Sequence, residues 1–121
     1  MGDRGQVWIH EDNHDIWLYT HWNAYQLEEK VKKSLSYNRR WNDAEYLTRI
    51  IFQEMIRDHF DPFTGYGIGN SLHGDVYRVI DIDVDKQEIK VLDKIWDVEN
   101  NMKLENWKVL FKGTFNEFIG D

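Results

Sequence analysis

The 121-residue chain predicts an α+β fold: a mainly antiparallel sheet, two central helices and a short C-terminal helix, in the order β-β-α-α-β-β-β-α. Three observations carry this expectation. Segments rich in Val, Ile, Trp and Tyr, with turn formers between them, occur toward both ends. Two consecutive stretches in between repeat their apolar residues at helical spacing. No linker, internal repeat or low-complexity stretch interrupts the series, and the length suits a single domain over 1–121.

Gln6–His10 and Asp15–Trp22 read as strands around the turn formers Glu11-Asp12-Asn13-His14. In the second, Ile16, Leu18, Thr20 and Trp22 point one way and Trp17, Tyr19 and His21 the other. Neither set is strictly polar, so both faces are expected to be partly covered. Asn23 is the expected N-cap of a helix over Ala24–Leu35, with Leu27, Val31 and Leu35 in one apolar stripe. Ser36-Tyr37-Asn38 breaks it. A second helix is expected after Asn42, with Glu45 in the capping-box position. Ala44, Leu47, Ile51 and Met55 form its stripe, and Ile50, Phe52 and Ile56 widen it, which marks this helix as the central buried one. It must end before Pro62, because proline disfavours helix in the residue that precedes it.

Asp61–Asp75 holds four of the eight glycines, Gly65, Gly67, Gly69 and Gly74, and reads as a long loop of the kind that is usually functional or mobile. Val76–Val84 and Glu88–Ile95 then form a hairpin across Asp85-Lys86-Gln87. Ile80, Ile82 and Val84 alternate there with Asp81, Asp83 and Asp85, the pattern of a half-buried strand. Trp107, Val109 and Phe111 place a further strand at Asn106–Lys112. Thr114 caps a short helix through Phe118, with Glu117 in the box position and Gly120 near its stop.

Composition excludes several classes. At 41% hydrophobic and 15% aromatic residues the chain is not generally disordered. It has no cysteine, so disulfide frameworks, thiol nucleophiles and Cys-ligated metals are ruled out. No apolar run is long enough to span a membrane, and the start of the chain lacks the apolar stretch of a signal peptide. A soluble cytoplasmic protein without membrane contact is expected. The net charge of -7 opposes general nucleic-acid binding, which needs Lys and Arg against phosphate. Residues 1–60 carry ten acids and eight bases, and residues 61–121 carry twelve acids and seven bases. Within the first half, Lys30, Lys32, Lys33, Arg39 and Arg40 form a basic island with no acid among residues 30–40. Such a run is ordinarily a solvated helix end, where cations complement the dipole. It is also the size of a site for one or a few phosphates.

Few motifs carry chemistry. Asp81 to Lys86 superficially resembles the start of a calcium loop, but Lys86 stands where glycine is needed and Leu92 where glutamate is needed. The five histidines, at 10, 14, 21, 59 and 73, lack metal-ligand spacing, so neither a metal nor a cofactor is expected. Ser71 and His73 lie two apart, but no nucleophile elbow frames them and no catalytic residue is assigned. The clearest signal is aromatics beside cations and glycines: His21 and Trp22 ending a strand, Arg39, Arg40 and Trp41 between the helices, and Thr64, Gly65, Tyr66, Gly67 and Ser71 in the loop. Aromatic rings stack on bases, arginine pairs phosphate bidentately, and glycine lets backbone N–H groups approach an anion. The plain alternative is that the tryptophans are core and the glycines only make turns.

Leu18-Tyr19-Thr20-His21-Trp22, Arg40-Trp41-Asn42-Asp43, Tyr46 to Phe52 and Thr64-Gly65-Tyr66-Gly67-Ile68 resemble a family of small proteins from phages and prokaryotes. The resemblance covers about residues 3–90. It implies a phage context, in which small proteins often counter host defence, some by sequestering nucleotide-derived immune signals such as cyclic ADP-ribose isomers or cyclic oligonucleotides.

The functional expectation is therefore a non-catalytic protein that binds a small nucleotide-like ligand in the cytoplasm of the infected host. Trp22, Trp41 or Tyr66 would stack on the base, Arg39 and Arg40 would pair phosphate, and the loop Thr64–Ser71 would close over it. High affinity needs most of the ligand buried, in a deep pocket or at a homo-oligomer interface. Two alternatives stand beside it. One is a nucleotide hydrolase using His21 or His73. The other is a protein–protein inhibitor whose acidic Asp81, Asp83 and Asp85 mimic nucleic acid.

Overall fold

A computed structural model describes residues 3–57, 65–96 and 99–120. The fold is α+β, as expected, built on a six-stranded sheet. The strands are β1 (Gly5–Glu11), β2 (His14–Thr20), β3 (Tyr66–Gly69), β4 (Arg78–Asp83), β5 (Glu88–Asp93) and β6 (Lys108–Thr114). The helices are α1 (Leu27–Ser36), α2 (Ala44–Ile56) and α3 (Phe115–Ile119). Spatial strand order is β3-β2-β1-β4-β5-β6. Neighbours are antiparallel except β1 and β4, which run parallel because the two long helices are inserted between them.

Strand periodicity sorts the two faces. Val7 stands opposite Leu18 and Ile80, and Ile80 opposite Val91. These residues, with Ile9, Ile82 and Ile89, are buried against Leu27, Val31 and Leu35 of α1, Leu47, Ile51 and Met55 of α2, and Phe115 and Phe118 of α3. Each fully buried aliphatic side chain of this kind contributes about 1.5–3 kcal/mol, so the helical layer is where most of the stability resides. The helical stripes are the expected ones. On the other face, Trp17, Val79 and Leu92 are covered by Val76 and Trp107, with Trp8, Tyr19, Leu72 and Leu104 packed around them. Segments 72–76 and 104–107 cover only part of that second face.

Local differences from the sequence expectation have identifiable causes. The glycine-rich stretch contains strand β3, which adds to the edge of β2 with Ile68 opposite Leu18. Four residues with two glycines carry almost no strand signal, and only pairing with β2 makes them a strand. Asn23 does not cap a helix with its side chain; its Nδ2 donates to the Tyr66 hydroxyl at 2.6 Å, and a 3-10 turn at Ala24–Gln26 precedes α1. Asp43, not Asn42, caps α2, its Oδ1 accepting from Tyr46 N. The capping box of Thr114 and Glu117 is present on α3. Strand β6 begins two residues later than expected, after a 3-10 turn at Leu104–Asn106, and Leu110 is an extra residue where the β5–β6 register shifts. Pro62 and the helix stop expected before it lie outside the described residues.

Candidate functional site

At the N-terminal end of β1, side chains from three segments meet on the open face. Arg4 leads into β1, Tyr19 lies near the end of β2 with His21 and Trp22 directly after it, and the segment after β3 brings Ser71, His73 and Asp75. Arg4 Nε donates to His21 Nδ1 at 3.2 Å, and its Nη2 lies 3.4 Å from His21 Nε2. The same guanidinium pairs with the Asp75 carboxylate at 3.3 Å. The Tyr19 hydroxyl lies 3.3 Å from His21 Nδ1, and its ring lies 4.8 Å from that of His73. Burial, and then the Asp75 charge, push the Tyr19 phenol above its ordinary value, so it stays protonated at neutral pH.

Trp22 extends this cluster outward. Its indole meets the His21 ring edge-on at 4.2 Å and is 50% exposed, which leaves aromatic surface free for a ligand. The backbone beneath it is glycine for a physical reason. Gly65 has φ +85°, and a Cβ there would lie 3.0 Å from Trp22 Cδ1. Gly65 O also accepts the His21 N–H at 2.8 Å, tying the loop to the end of β2.

Gln6 fixes the other wall. Its side chain, 1% exposed, points from β1 onto the open face. Nε2 donates to Ser71 O at 3.0 Å, and Oε1 accepts the His73 N–H at 2.8 Å. One carboxamide thus satisfies the Ser71 carbonyl and the His73 N–H and sets His73 over Tyr19.

The sequence-selected residues divide in two. His21, Trp22, Gly65, Gly67 and Ser71 gather around this corner, whereas Tyr66, expected as a base-stacking ring, packs on the opposite, helix-covered face, where its hydroxyl accepts from Asn23 Nδ2. Thr64 lies outside the described residues. Arg39, Arg40 and Trp41 do not join them. They follow the C-terminus of α1, whereas the corner adjoins its N-terminal end, where Ala24 N donates to Asp3 O. Ten helical residues, roughly 15 Å, lie between. Trp41 is committed to packing: its Nε1 donates to Leu35 O at 3.1 Å and its ring meets Phe115 edge-on at 5.4 Å. Arg40 lies over the Tyr46 ring at 4.6 Å. Lys32 and Lys33 of the basic island sit over Phe118 and 3.9 Å from Glu54 respectively. The expected single cavity joining island and loop is therefore not formed by Arg39, Arg40 and Trp41. The cation at the corner is Arg4, which lies alone between Asp3 and Gly5 and gives no motif by which the sequence could have selected it.

Two other groupings complete the open face. At its far end a groove of about 540 Å³ is lined by Trp8, His10, Asp81, Lys90, Leu92 and Trp107, among others. His10 Nε2 lies 2.6 Å from Asp81 Oδ1 and stacks on Trp8 at 4.1 Å. Burial alone would lower the His10 pKa, but the Asp81 hydrogen bond and the charges of Asp81, Asp83 and Asp15 outweigh it and hold it above the ordinary value. The three aspartates of the acidic strand are thus in different settings. Asp81 is paired with His10, Asp83 accepts from Lys86 N, and Asp85 accepts from Asp12 N in the neighbouring turn.

Among the described residues no group of three or more His, Asp or Glu side chains is placed to hold a metal ion, and no helix is long and apolar enough to cross a membrane. In comparisons with known proteins, no family model, curated protein or solved structure matches the chain.

Proposed function

We propose that this chain is a non-catalytic binding protein that sequesters a small nucleotide-like ligand at the Arg4–His21–Trp22 corner. The observation that carries the reading is the sequence of groups there: a half-exposed indole, then an imidazole, then a guanidinium laid against it. A planar base gains stacking surface on Trp22, worth about 1–3 kcal/mol per base on such platforms. Arg4, already oriented by His21 and Asp75, presents its remaining N–H donors to a phosphate. Tyr19 and His73 supply further polar edges, and Gly65 keeps the space above its backbone clear for Trp22. The resemblance to the phage and prokaryotic family supports placing that ligand among nucleotide-derived immune signals, with a role in blocking host defence.

The test is incubation with cyclic ADP-ribose isomers, cyclic oligonucleotides and AMP, followed by denaturation and chromatography of the released ligand. One of them is expected back chemically intact, near one equivalent per chain. The accompanying change in tryptophan fluorescence should vanish in Trp22→Phe. No thermal shift with any member of the panel overturns the reading. Product appearing with turnover assigns the corner to a hydrolase using His21 or His73 instead.

A further inference from the structure

We propose that the groove at the far end of the open face is a second site, for a short apolar peptide bearing both a free ammonium and a free carboxylate. Its volume, about 540 Å³, lies within the range of small-molecule sites, roughly 300–1,000 Å³. The lining is segregated along β5. Glu88, Lys90 and Leu92 alternate onto the same face, so the lining passes from ions to apolar groups over about 13 Å of strand. Leu92, Leu104, Trp107 and Val109 form the apolar end, with Glu105 the one charged side chain of that segment in the lining.

The ionic end holds charges of both signs, Glu88 and Lys90, that form no ion pair with another described side chain. Glu88 and Lys90 are half-buried, and neither has an ion-pair or side-chain hydrogen-bond partner among the described residues. Asp81 faces Lys90 and Asp83 faces Glu88 across the β4–β5 pair, about 5 Å away at the backbone. A plain anion drawn to Lys90 therefore meets Glu88, Asp81 and Asp83. A plain cation is drawn to Glu88 and Asp83, but it meets Lys86 and leaves Lys90 without a counter-charge. A ligand with both charges engages Glu88 and Lys90 at once and leaves neither unpaired. Glu88 and Lys90 are two strand residues apart, about 6.7 Å, which is close to the spacing of the two termini in an extended dipeptide. The apolar end then takes the side chains. The nucleotide corner is about 20 Å away along β1, from Arg4 to His10, so the two sites are physically separate.

The probe is the dipeptide Leu-Phe, followed by titration calorimetry and by amide shifts of Glu88, Lys90 and Leu92. Saturable binding is expected. N-acetyl-Leu-Phe, which lacks the ammonium, and Leu-Phe amide, which lacks the carboxylate, should each bind at least about tenfold more weakly, as loss of one charge-assisted contact implies. In Lys90→Met the free dipeptide should weaken by about the same factor while the cationic amide binds at least as well as before, a pattern that a merely disturbed groove would not give. Absence of saturable binding overturns the proposal, as does binding of either blocked form within about twofold of the free dipeptide. Neither outcome bears on nucleotide retention, which is read at the other end of the face.

Discussion

Gln6 and His73, far apart in the chain, are joined by a 2.8 Å hydrogen bond from the His73 backbone N–H to Gln6 Oε1. The other end of the same carboxamide donates to Ser71 O. A residue buried in the second strand position of β1 therefore determines where a loop histidine sits. Replacing Gln6 with Leu keeps the volume but strands both loop groups next to an apolar side chain. The expected loss is about 1–3 kcal/mol in denaturant unfolding, with faster amide exchange confined to residues 71–75. Wild-type exchange there would show that the carboxamide does not hold the loop.

Gly65 is a position where a side chain meets two obstacles at once. Its φ of +85° disfavours any L-residue, and its Cβ would lie 3.0 Å from the Trp22 indole. Gly65→Ala is expected to destabilise by about 1–2 kcal/mol from the backbone alone. It should also move Trp22, seen as a shifted tryptophan emission that Trp22→Phe abolishes. Unchanged emission would place Trp22 away from the loop.

The two sets of arginines make opposite demands on the same assay. Arg4 touches His21 and Asp75, whereas Arg39 and Arg40 stand beyond the far end of α1. Arg4→Ala is expected to reduce nucleotide retention tenfold or more, about 1.4 kcal/mol or above. The double change Arg39→Ala plus Arg40→Ala should leave retention within about twofold. The reverse ranking would remove the corner as the site.

The pairing of His10 with Asp81 links stability to pH. The folded-state pKa of His10 lies above its unfolded value. The stabilisation is thus complete below the unfolded histidine pKa, about 6.5, and is lost as pH rises through the higher folded value. Asp81→Asn should lower the His10 pKa in an NMR titration and flatten this part of the stability profile. Coincident titration curves for the variant and wild type would dissociate the two residues.

Glu54 acts in the opposite direction. It is buried at 1% exposure in α2, accepting from the Tyr37 hydroxyl at 2.8 Å and from Arg57. The Arg57 hydrogen bonds hold its pKa below the usual carboxylate range against the pull of burial. Its contribution is present above the unfolded carboxylate pKa and is lost as pH falls through the folded value. Glu54→Ala strands the Tyr37 hydroxyl, while Arg57, half in water, rehydrates. A loss of about 1–3 kcal/mol at neutral pH is expected, below that of a fully buried pair. A variant as acid-sensitive as wild type would show that Glu54 does not set that limb.

Legibility in the sequence followed the range of the interaction. The apolar stripes of α1 and α2 and the alternation of β4 are set by nearest neighbours, and they appear where the pattern places them. The box of Thr114 and Glu117 is equally local. Strand β3 was not legible, because its four residues owe their conformation to β2. Nor was the fate of Trp41. The same residue type beside two arginines suits a ligand platform or a core, and only the approach of α3 commits it to Phe115.

The chain pattern by itself determined the fold class, the buried faces and part of a candidate site, His21 and Trp22 following directly on one strand; Tyr19 was not singled out. Tertiary structure alone decided which cation completes that site. A ten-residue helix is a rigid spacer, so it carries Arg39 and Arg40 away from Trp22, whereas the pairing of β1 with β2 brings Arg4 against His21. Distances of that kind depend on how elements dock, which no residue spacing along the chain encodes.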